Sequence, residues 1–177
     1  NTKMMAIAKT NYLIVKNSED VMSLLLSSEK VYLGLLDWQK YGGKEQLCFR
    51  EFDDQLQDDN EYRVFVYENK LTAISQYDPY GKYTDCIENK EKVEKMIHEY
   101  WTCEVKNRMK IDNYIVDFCF EKDKVKLIEF NPFLDSTGAG LFDWKRDAKE
   151  LRYGDGKLRI VLNEYPIIEL LKYFNNT

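Results

Sequence analysis

A chain of 177 residues with 44% hydrophobic and 32% charged side chains can bury a core without disulfide bonds. A net charge of −5 argues against a surface that coats nucleic acid, because such a surface needs clustered positive charge. The four cysteines are dispersed and the longest apolar stretch, Val21 to Leu36, is too short and polar to span a membrane, so we expect a cytoplasmic protein that binds neither nucleic acid nor membrane.

The N-terminal third of the chain predicts a helix, a turn, a strand and a loop. Ser18 at the N-cap, acids in the first turn and an apolar run to Leu26 are typical of a helix start. A glycine pair at 42–43 indicates a turn, and residues 46–52 have the pattern of a strand. The acidic and amide-rich stretch 53–60 indicates a solvated loop.

Two hairpins with a helix between them make up the middle of the chain. Residues 61–67 and 71–76 are rich in β-branched and aromatic side chains on either side of a polar turn, which indicates a β-hairpin. Residues 114–120 and 125–131 follow the same pattern. Between the hairpins, apolar residues recur at helical spacing over residues 90–101. This order predicts an α+β fold with a largely antiparallel sheet and helices packed on it.

The C-terminal part of the chain predicts a loop, a helix, a hairpin and a last helix. Two glycines mark the loop 136–140, which leads into a helix over residues 142–151. The amides of such a loop can hold phosphate, but the simpler interpretation is a turn into the helix. Gly154 and Gly156 indicate a further hairpin, and Pro166 begins a helix that reaches residue 174.

The second hairpin is predicted to bring oxygen-bearing side chains together. Centring it near Asp123 pairs Asp117 with Glu129, and period-two alternation places Asn131 on the same face. Two opposed carboxylates in apolar strands repel each other and lose hydration, so either one is protonated or a cation or basic side chain compensates. Magnesium suits such hard oxygen ligands. The alternative interpretation is a set of edge-strand charges that face solvent.

Several short sequence blocks resemble a known family. The stretch from Leu127 to Phe133, preceded by Asp117 on the previous strand, is similar to the metal-binding signature of the ATP-grasp superfamily. More specifically, four further blocks resemble the cell division cycle protein 123 family, in order and spacing across roughly residues 12 to 153. These blocks are Phe49-Arg50-Glu51-Phe52, Glu61-Tyr62-Arg63-Val64-Phe65-Val66, Lys70 to Asp78, and Gly140-Leu141-Phe142-Asp143-Trp144.

The resemblance implies an ATP-grasp-type fold with ATP and Mg²⁺ as cofactors. The metal ligands that it implies, placed against the nucleotide phosphates, are Asp117, Glu129 and Asn131. It implies that Phe49, Arg50, Glu51 and Phe52 form a hinge strand beside adenine. It also implies that Arg63 faces the phosphates and that Ser75 and Gln76 lie on the partner strand of Arg63.

Members of that family bind the gamma subunit of eukaryotic translation initiation factor two and promote assembly of its trimer. The resemblance therefore implies an ATP-binding assembly factor, or chaperone, with that subunit as its protein client. An ATP-grasp ligase, which activates a carboxylate as an acyl phosphate, uses the same site and is the alternative. A structural fragment that does not bind nucleotide is the third hypothesis.

The family also has an N-terminal region with a phosphate-contacting lysine, and this chain begins about where that region ends. We therefore expect residues 1–177 to form a single ATP-grasp-like domain that lacks part of the N-terminal subdomain. Asp117→Asn or Glu129→Gln should weaken nucleotide binding. By relieving repulsion between the carboxylates, either change should also stabilise the empty protein.

Overall fold

The described part of the first of two compact units contains two helices. In a computed structural model, residues 14–44, 46–51, 58–121 and 124–162 are described. The chain divides into residues 1–54 and residues 55–177. Helix α1 (Ser18–Ser27) confirms the predicted helix. Its N-cap is Asn17 and not Ser18, because the Asn17 side chain accepts the Asp20 N–H at 2.8 Å.

The second helix of this unit, α2 (Glu29–Tyr41), was not predicted. Ser28 Oγ accepts the Val31 N–H at 3.3 Å and starts the helix, and Gly42 with a φ of 74° ends it. The predicted strand over residues 46–52 is wrong for its described part, because residues 46–51 form neither helix nor strand. Within the described ranges, no helix is long and apolar enough to cross a membrane.

The second unit is built on a five-stranded sheet with the strand order β4-β3-β1-β2-β5. Both hairpins predicted for the middle of the chain are confirmed, and their inner strands, β1 and β3, pair with each other in antiparallel register. Glu68 and Asn69 turn the first hairpin with φ values of 50° and 57°, the left-handed conformation of a tight two-residue turn. The strands are β1 (Glu61–Tyr67), β2 (Lys70–Gln76), β3 (Tyr114–Glu121), β4 (Lys124–Pro132) and β5 (Leu158–Arg159).

Strand β5 and the helix before it differ from the prediction. β5 pairs in parallel with β2, so the hairpin predicted at 154–156 is wrong. Helix α5 (Ala148–Tyr153) lies in the crossover connection that a parallel neighbour requires. It begins later than the predicted residue 142, because the Asp143 carboxylate accepts the N–H groups of Lys145 and Arg146 at 2.9 and 2.7 Å and holds a turn there.

The two faces of the sheet carry separate cores. Helices α3 (Thr84–Glu88) and α4 (Lys90–Tyr100) pack on one face, where Val93 and Ile97 join the main core, and a π-helical turn, Trp101–Val105, extends α4. Helix α4 was predicted and α3 was not. The other face holds a smaller core of Phe65, Ala73, Ile115, Phe142 and Leu151. The predicted α+β architecture with a largely antiparallel sheet is confirmed. Residues 53–57 of the predicted loop and the predicted helix 166–174 lie outside the described residues.

Candidate functional site

A row of paired residues crosses the whole sheet on the face of the smaller core. Asp117 pairs with Glu129 on one side and with Arg63 on the other. Arg63 pairs with Ser75, and Ser75 pairs with Arg159. Directly paired residues point to the same face of a sheet, so four charged side chains and one serine lie side by side.

A β-bulge sets the register that brings Glu129 opposite Asp117. On the turn side, Phe118 pairs with Leu127, a register that would continue with Ile128 opposite Asp117. The register shifts between Asp117 and Phe118, so that Glu129 takes this place instead. The predicted pairing of Asp117 with Glu129 is confirmed, and it depends on an irregularity of the strand.

Arg63 holds the buried carboxylate of Asp117 in a two-pronged ion pair. Its Nε donates to Oδ1 at 2.9 Å and its Nη2 donates to Oδ2 at 2.7 Å. Its Nη1 donates to the Gly138 carbonyl at 2.6 Å. Asp117 is fully buried and Arg63 is 8% exposed. The sequence left three ways to compensate the paired carboxylates: protonation, a cation or a basic side chain. In the structure, a basic side chain, Arg63, compensates Asp117.

The pKa values of both partners are raised, for different reasons. Burial raises the pKa of Asp117 and repulsion from Glu129 adds to this, so that the bonds from Arg63 offset only part of the rise. Burial alone would lower the pKa of Arg63, but its hydrogen bonds and attraction to Asp117 outweigh burial and raise that pKa. Asp117 therefore remains a strained carboxylate that a second cation would stabilise.

Asn131 joins the two carboxylates. Its Nδ2 donates to Asp117 Oδ2 and to Glu129 Oε1, both at 3.1 Å. The three predicted metal ligands are therefore brought together on one face. Glu129 is exposed where Asp117 is buried, so one carboxylate of the pair faces solvent and one faces the protein.

This donor set fits magnesium held jointly with phosphates. Magnesium usually takes one or two carboxylates, keeps several waters and completes its shell with phosphate oxygens. Over the residues that the structure describes, no group of three or more His, Cys, Asp or Glu side chains is arranged to hold a metal ion. Two carboxylates and an amide match a shared site and do not match an all-protein cage.

Ser75 ties a glycine-containing loop to the same row. Its Oγ donates to the Gln76 carbonyl at 2.7 Å and accepts the Leu141 N–H at 2.9 Å. Gly140 has a φ of 61°, and a Cβ there would collide with the Ser75 side chain. The loop thus lies against Arg63 through the Gly138 carbonyl and against Ser75 through Gly140 and Leu141. The Leu141 N–H donates to Ser75 and is therefore not available to bind a phosphate.

Gln76 belongs to the other face of the sheet and is not brought to the carboxylates. It pairs with Tyr62 of the main core. Its Nε2 donates to the carbonyls of Asp78 and Gly81 at 2.7 and 2.6 Å, and its Oε1 accepts the Val161 N–H at 3.2 Å. Gln76 therefore anchors the loop after β2 and the segment after β5.

The predicted hinge residues belong to the first compact unit. Phe49, Arg50 and Glu51 are exposed and lie in the stretch 46–51 that has no regular secondary structure. Phe52 lies outside the described residues. Their contact with adenine stays a prediction.

Two residues of the site were not found from the sequence. Tyr77 places its ring against the Arg63 guanidinium, with Cζ 4.8 Å from the ring centroid. Arg159 donates to the Leu141 carbonyl at 3.2 Å and to Asp147 Oδ2 at 2.9 Å. Period-two alternation from Ser75 could have placed Tyr77 on this face. Arg159 comes to the row through parallel pairing, for which the local sequence holds no signal.

Comparison with known proteins identifies relatives over most of the chain. A sequence model of the D123 family matches residues 4–171. Two relatives that are named translation initiation factor eIF2 assembly protein come from Xenopus laevis and Dictyostelium discoideum. The first is 36% identical over 51% of this chain and 27% of its own length. The second is 30% identical over 80% of this chain and 38% of its own length.

A solved structure shares the fold. The structure of Cdc123 from Schizosaccharomyces pombe superposes with a TM-score of 0.70 at 24% identity, over 84% of this chain and 63% of that chain. With the observed sheet, this match confirms the predicted α+β fold of the ATP-grasp type. This chain spans less than two fifths of the length of the Xenopus and Dictyostelium relatives.

Proposed function

Because this chain belongs to the D123 family, we propose that it is a cytoplasmic, magnesium-dependent ATP-binding protein that assists the assembly of translation initiation factor two. Its relatives carry that assembly role in their names. In this proposal, residues 1–177 act as one ATP-grasp-like domain, and the client is the gamma subunit. The convergence of Asp117, Glu129 and Asn131 on one face of the second hairpin carries the proposal.

Each residue of the cluster has a role in this proposal. Magnesium, when bound, neutralises the phosphates. Asp117, Glu129 and Asn131 supply oxygen ligands to it. A guanidinium has five N–H groups, and in the described part of the chain Arg63 uses three, so two can reach phosphate oxygens. Ser75 holds the neighbouring loop in place. Phe49, Arg50, Glu51 and Phe52 would line adenine, and Gln76 would support the loop after β2.

Calorimetric titration of ATP with and without magnesium tests the proposal. We expect binding that requires magnesium and that weakens about tenfold or more in Glu129→Gln, the equivalent of about 1.4 kcal/mol. The matched control is Glu99→Gln, because Glu99 is an exposed residue of α4 whose partner is Lys95. Binding that ignores magnesium, or an unaffected Glu129→Gln variant, would contradict the assignment. ADP formation that depends on an added carboxylate and amine would instead favour the ligase.

A further inference from the structure

Tyr77 lies at the end of β2, against the central arginine of the candidate site. It is two residues beyond Ser75, so its side chain points to the same face of the sheet as Ser75. Its N–H donates to the Glu61 carbonyl at 3.0 Å, which continues the pairing of β2 with β1 past Gln76. With the backbone paired in this way, the ring centroid lies 4.8 Å from Arg63 Cζ.

The Arg63 guanidinium lies over the Tyr77 ring while it bonds two other residues. Nε and Nη2 of Arg63 bond Asp117, and Nη1 bonds the Gly138 carbonyl, so the guanidinium must keep one orientation to serve both residues. These hydrogen bonds do not prevent water from approaching the guanidinium on the side of Tyr77. The aromatic ring on that side attracts the cation and excludes water, and ion pairs strengthen where water is excluded.

We propose that Tyr77 is a positioning residue of the nucleotide–metal site, because its ring holds the Arg63 guanidinium in the plane that serves both Asp117 and Gly138. With Arg63 so held, Asp117 keeps its orientation toward Glu129 and Asn131. Tyr77 has this effect through Arg63 and is not one of the proposed metal ligands. The inference rests on the proposed function for its effect on nucleotide, but its effect on Arg63 belongs to the empty protein.

The surroundings of Tyr77 keep its ring neutral. Burial raises the pKa of the phenol, and the carboxylates of Glu61, Asp117 and Glu129 raise it further, while Arg63 opposes them. The side chain is half-buried. A neutral aromatic ring is therefore present against Arg63 across the ordinary pH range.

Two readouts on the full chain test this role. The first is the solvent exchange rate of the Arg63 Nε–H in the empty protein, measured by NMR and assigned by its loss in Arg63→Lys. The second is the affinity for ATP with magnesium. In Tyr77→Leu we expect faster exchange and weaker binding, each by roughly three- to tenfold, the scale of a cation–π contact. Tyr77→Phe keeps the ring, so we expect both values to stay within about twofold.

A matched control lies at the other end of the same hairpin. Tyr67 also has an arginine against its ring, with Arg152 Cζ 6.0 Å from the centroid. Tyr67→Leu removes an aromatic ring and a cation–π contact from β1 without touching Arg63. We expect the Arg63 Nε–H exchange rate of this variant to match that of the unmodified chain.

Each outcome decides a separate statement. Unchanged exchange in Tyr77→Leu overturns the proposal, and faster exchange with unchanged ATP affinity overturns its effect on the nucleotide site. If Tyr77→Leu fails to fold, pentafluorophenylalanine at position 77 keeps the shape of the ring and reverses its charge distribution. Exchange equal to that of Tyr77→Phe then overturns the proposal. If the unmodified chain does not bind ATP, the function proposed above fails, and the exchange rate alone decides whether Tyr77 holds Arg63.

Discussion

The Asp117 carboxylate bonds two side chains, the cationic Arg63 and the neutral Asn131. Arg63 bonds both of its oxygens at 2.9 and 2.7 Å, while Asn131 adds a third bond at 3.1 Å. A carboxylate has about four lone-pair sites, so one remains for a metal ion after these three bonds. Asp117 can therefore both stabilise the empty fold through Arg63 and serve as a metal ligand. Glu129 is exposed, so we expect it to serve as a metal ligand without stabilising the empty fold.

Replacing each acidic ligand in turn separates these two tasks. We expect Asp117→Asn to lower the free energy of unfolding of the empty protein by about 3 to 5 kcal/mol, because it leaves the charge of Arg63 buried without a carboxylate. Glu129→Gln should change it by less than about 0.5 kcal/mol, because this side chain is exposed. Urea unfolding of both variants measures the difference. The expectation from sequence that both changes stabilise the protein is thus revised for Asp117, and equal effects would contradict the structural account.

The sequence predicted the carboxylates of the site better than it predicted their counter-charge. Asp117, Glu129 and Asn131 belong to one hairpin, and pairing across a short turn can be derived from alternation alone. Arg63 lies on another hairpin, and nothing in either segment specifies that β1 is the neighbour of β3. The ion pair between Arg63 and Asp117 is therefore a property of the strand order, which local patterns do not contain.

The loop between β4 and α5 depends on one glycine for its path across the sheet. At Gly140 the φ of 61° is strained for other residues, and a Cβ would collide with Ser75. We expect Gly140→Ala to lower the free energy of unfolding by about 1 to 3 kcal/mol, from backbone strain and the displaced Leu141–Ser75 hydrogen bond. It should also weaken ATP binding, because the loop holds Arg63 through Gly138.

The matched control for this substitution is a glycine that lies in a helix. Gly34 lies inside α2, and a Cβ there meets nothing within 4 Å. Gly34→Ala should raise the stability of that helix by about 1 kcal/mol, because alanine is the better helix former. Thermal unfolding followed by circular dichroism gives both values. A Gly140→Ala variant as stable as the unmodified chain would show that the loop can pass Ser75 by another path.

Elements with strong local patterns were mostly predicted, whereas β5, which depends on a distant strand, was not. Helix α2 was also missed, although Ser28 and Gly42 cap it locally. The two hairpins and helix α4 have strong period-two or helical patterns and formed where expected. Strand β5 is only two residues long, Leu158–Arg159, and exists because β2 offers a parallel edge. The bulge beside Asp117 was likewise not predicted by the period-two alternation of the two strands. The predicted Asp117–Glu129 pair was right because the assumed centre at Asp123 compensated for this bulge.

On the scale of the whole molecule, a network of charges joins the last described segments. Arg159 donates to Asp147 Oδ2 at 2.9 Å and to Glu150 Oε2 at 2.7 Å, and its guanidinium lies 3.8 Å from the centroid of the Phe142 ring. This network connects β5 to the start of α5 and to the loop that contacts Arg63. Its protonation state therefore bears on both the core and the candidate site.

Asp147 should make the stability of the protein decrease as the pH falls from about 4 to about 2. Burial raises its pKa, but hydrogen bonds from Arg146, the Asp143 N–H and Arg159 outweigh burial and lower the pKa from 3.8 to about 2. A carboxyl whose pKa is lower in the folded state stabilises fully above its unfolded pKa, and this contribution disappears as the pH falls toward the folded value. We expect this contribution to the free energy of unfolding to be about 1 kcal/mol, less than the full pKa shift would give, because solvent screens part of the interaction.

Asp147→Asn should remove this amount at pH 7 and flatten the dependence of the urea midpoint on pH, whereas exposed Asp155→Asn should do neither. An Asp147→Asn variant with the unmodified slope between pH 4 and pH 2 would assign the acid sensitivity to other carboxylates.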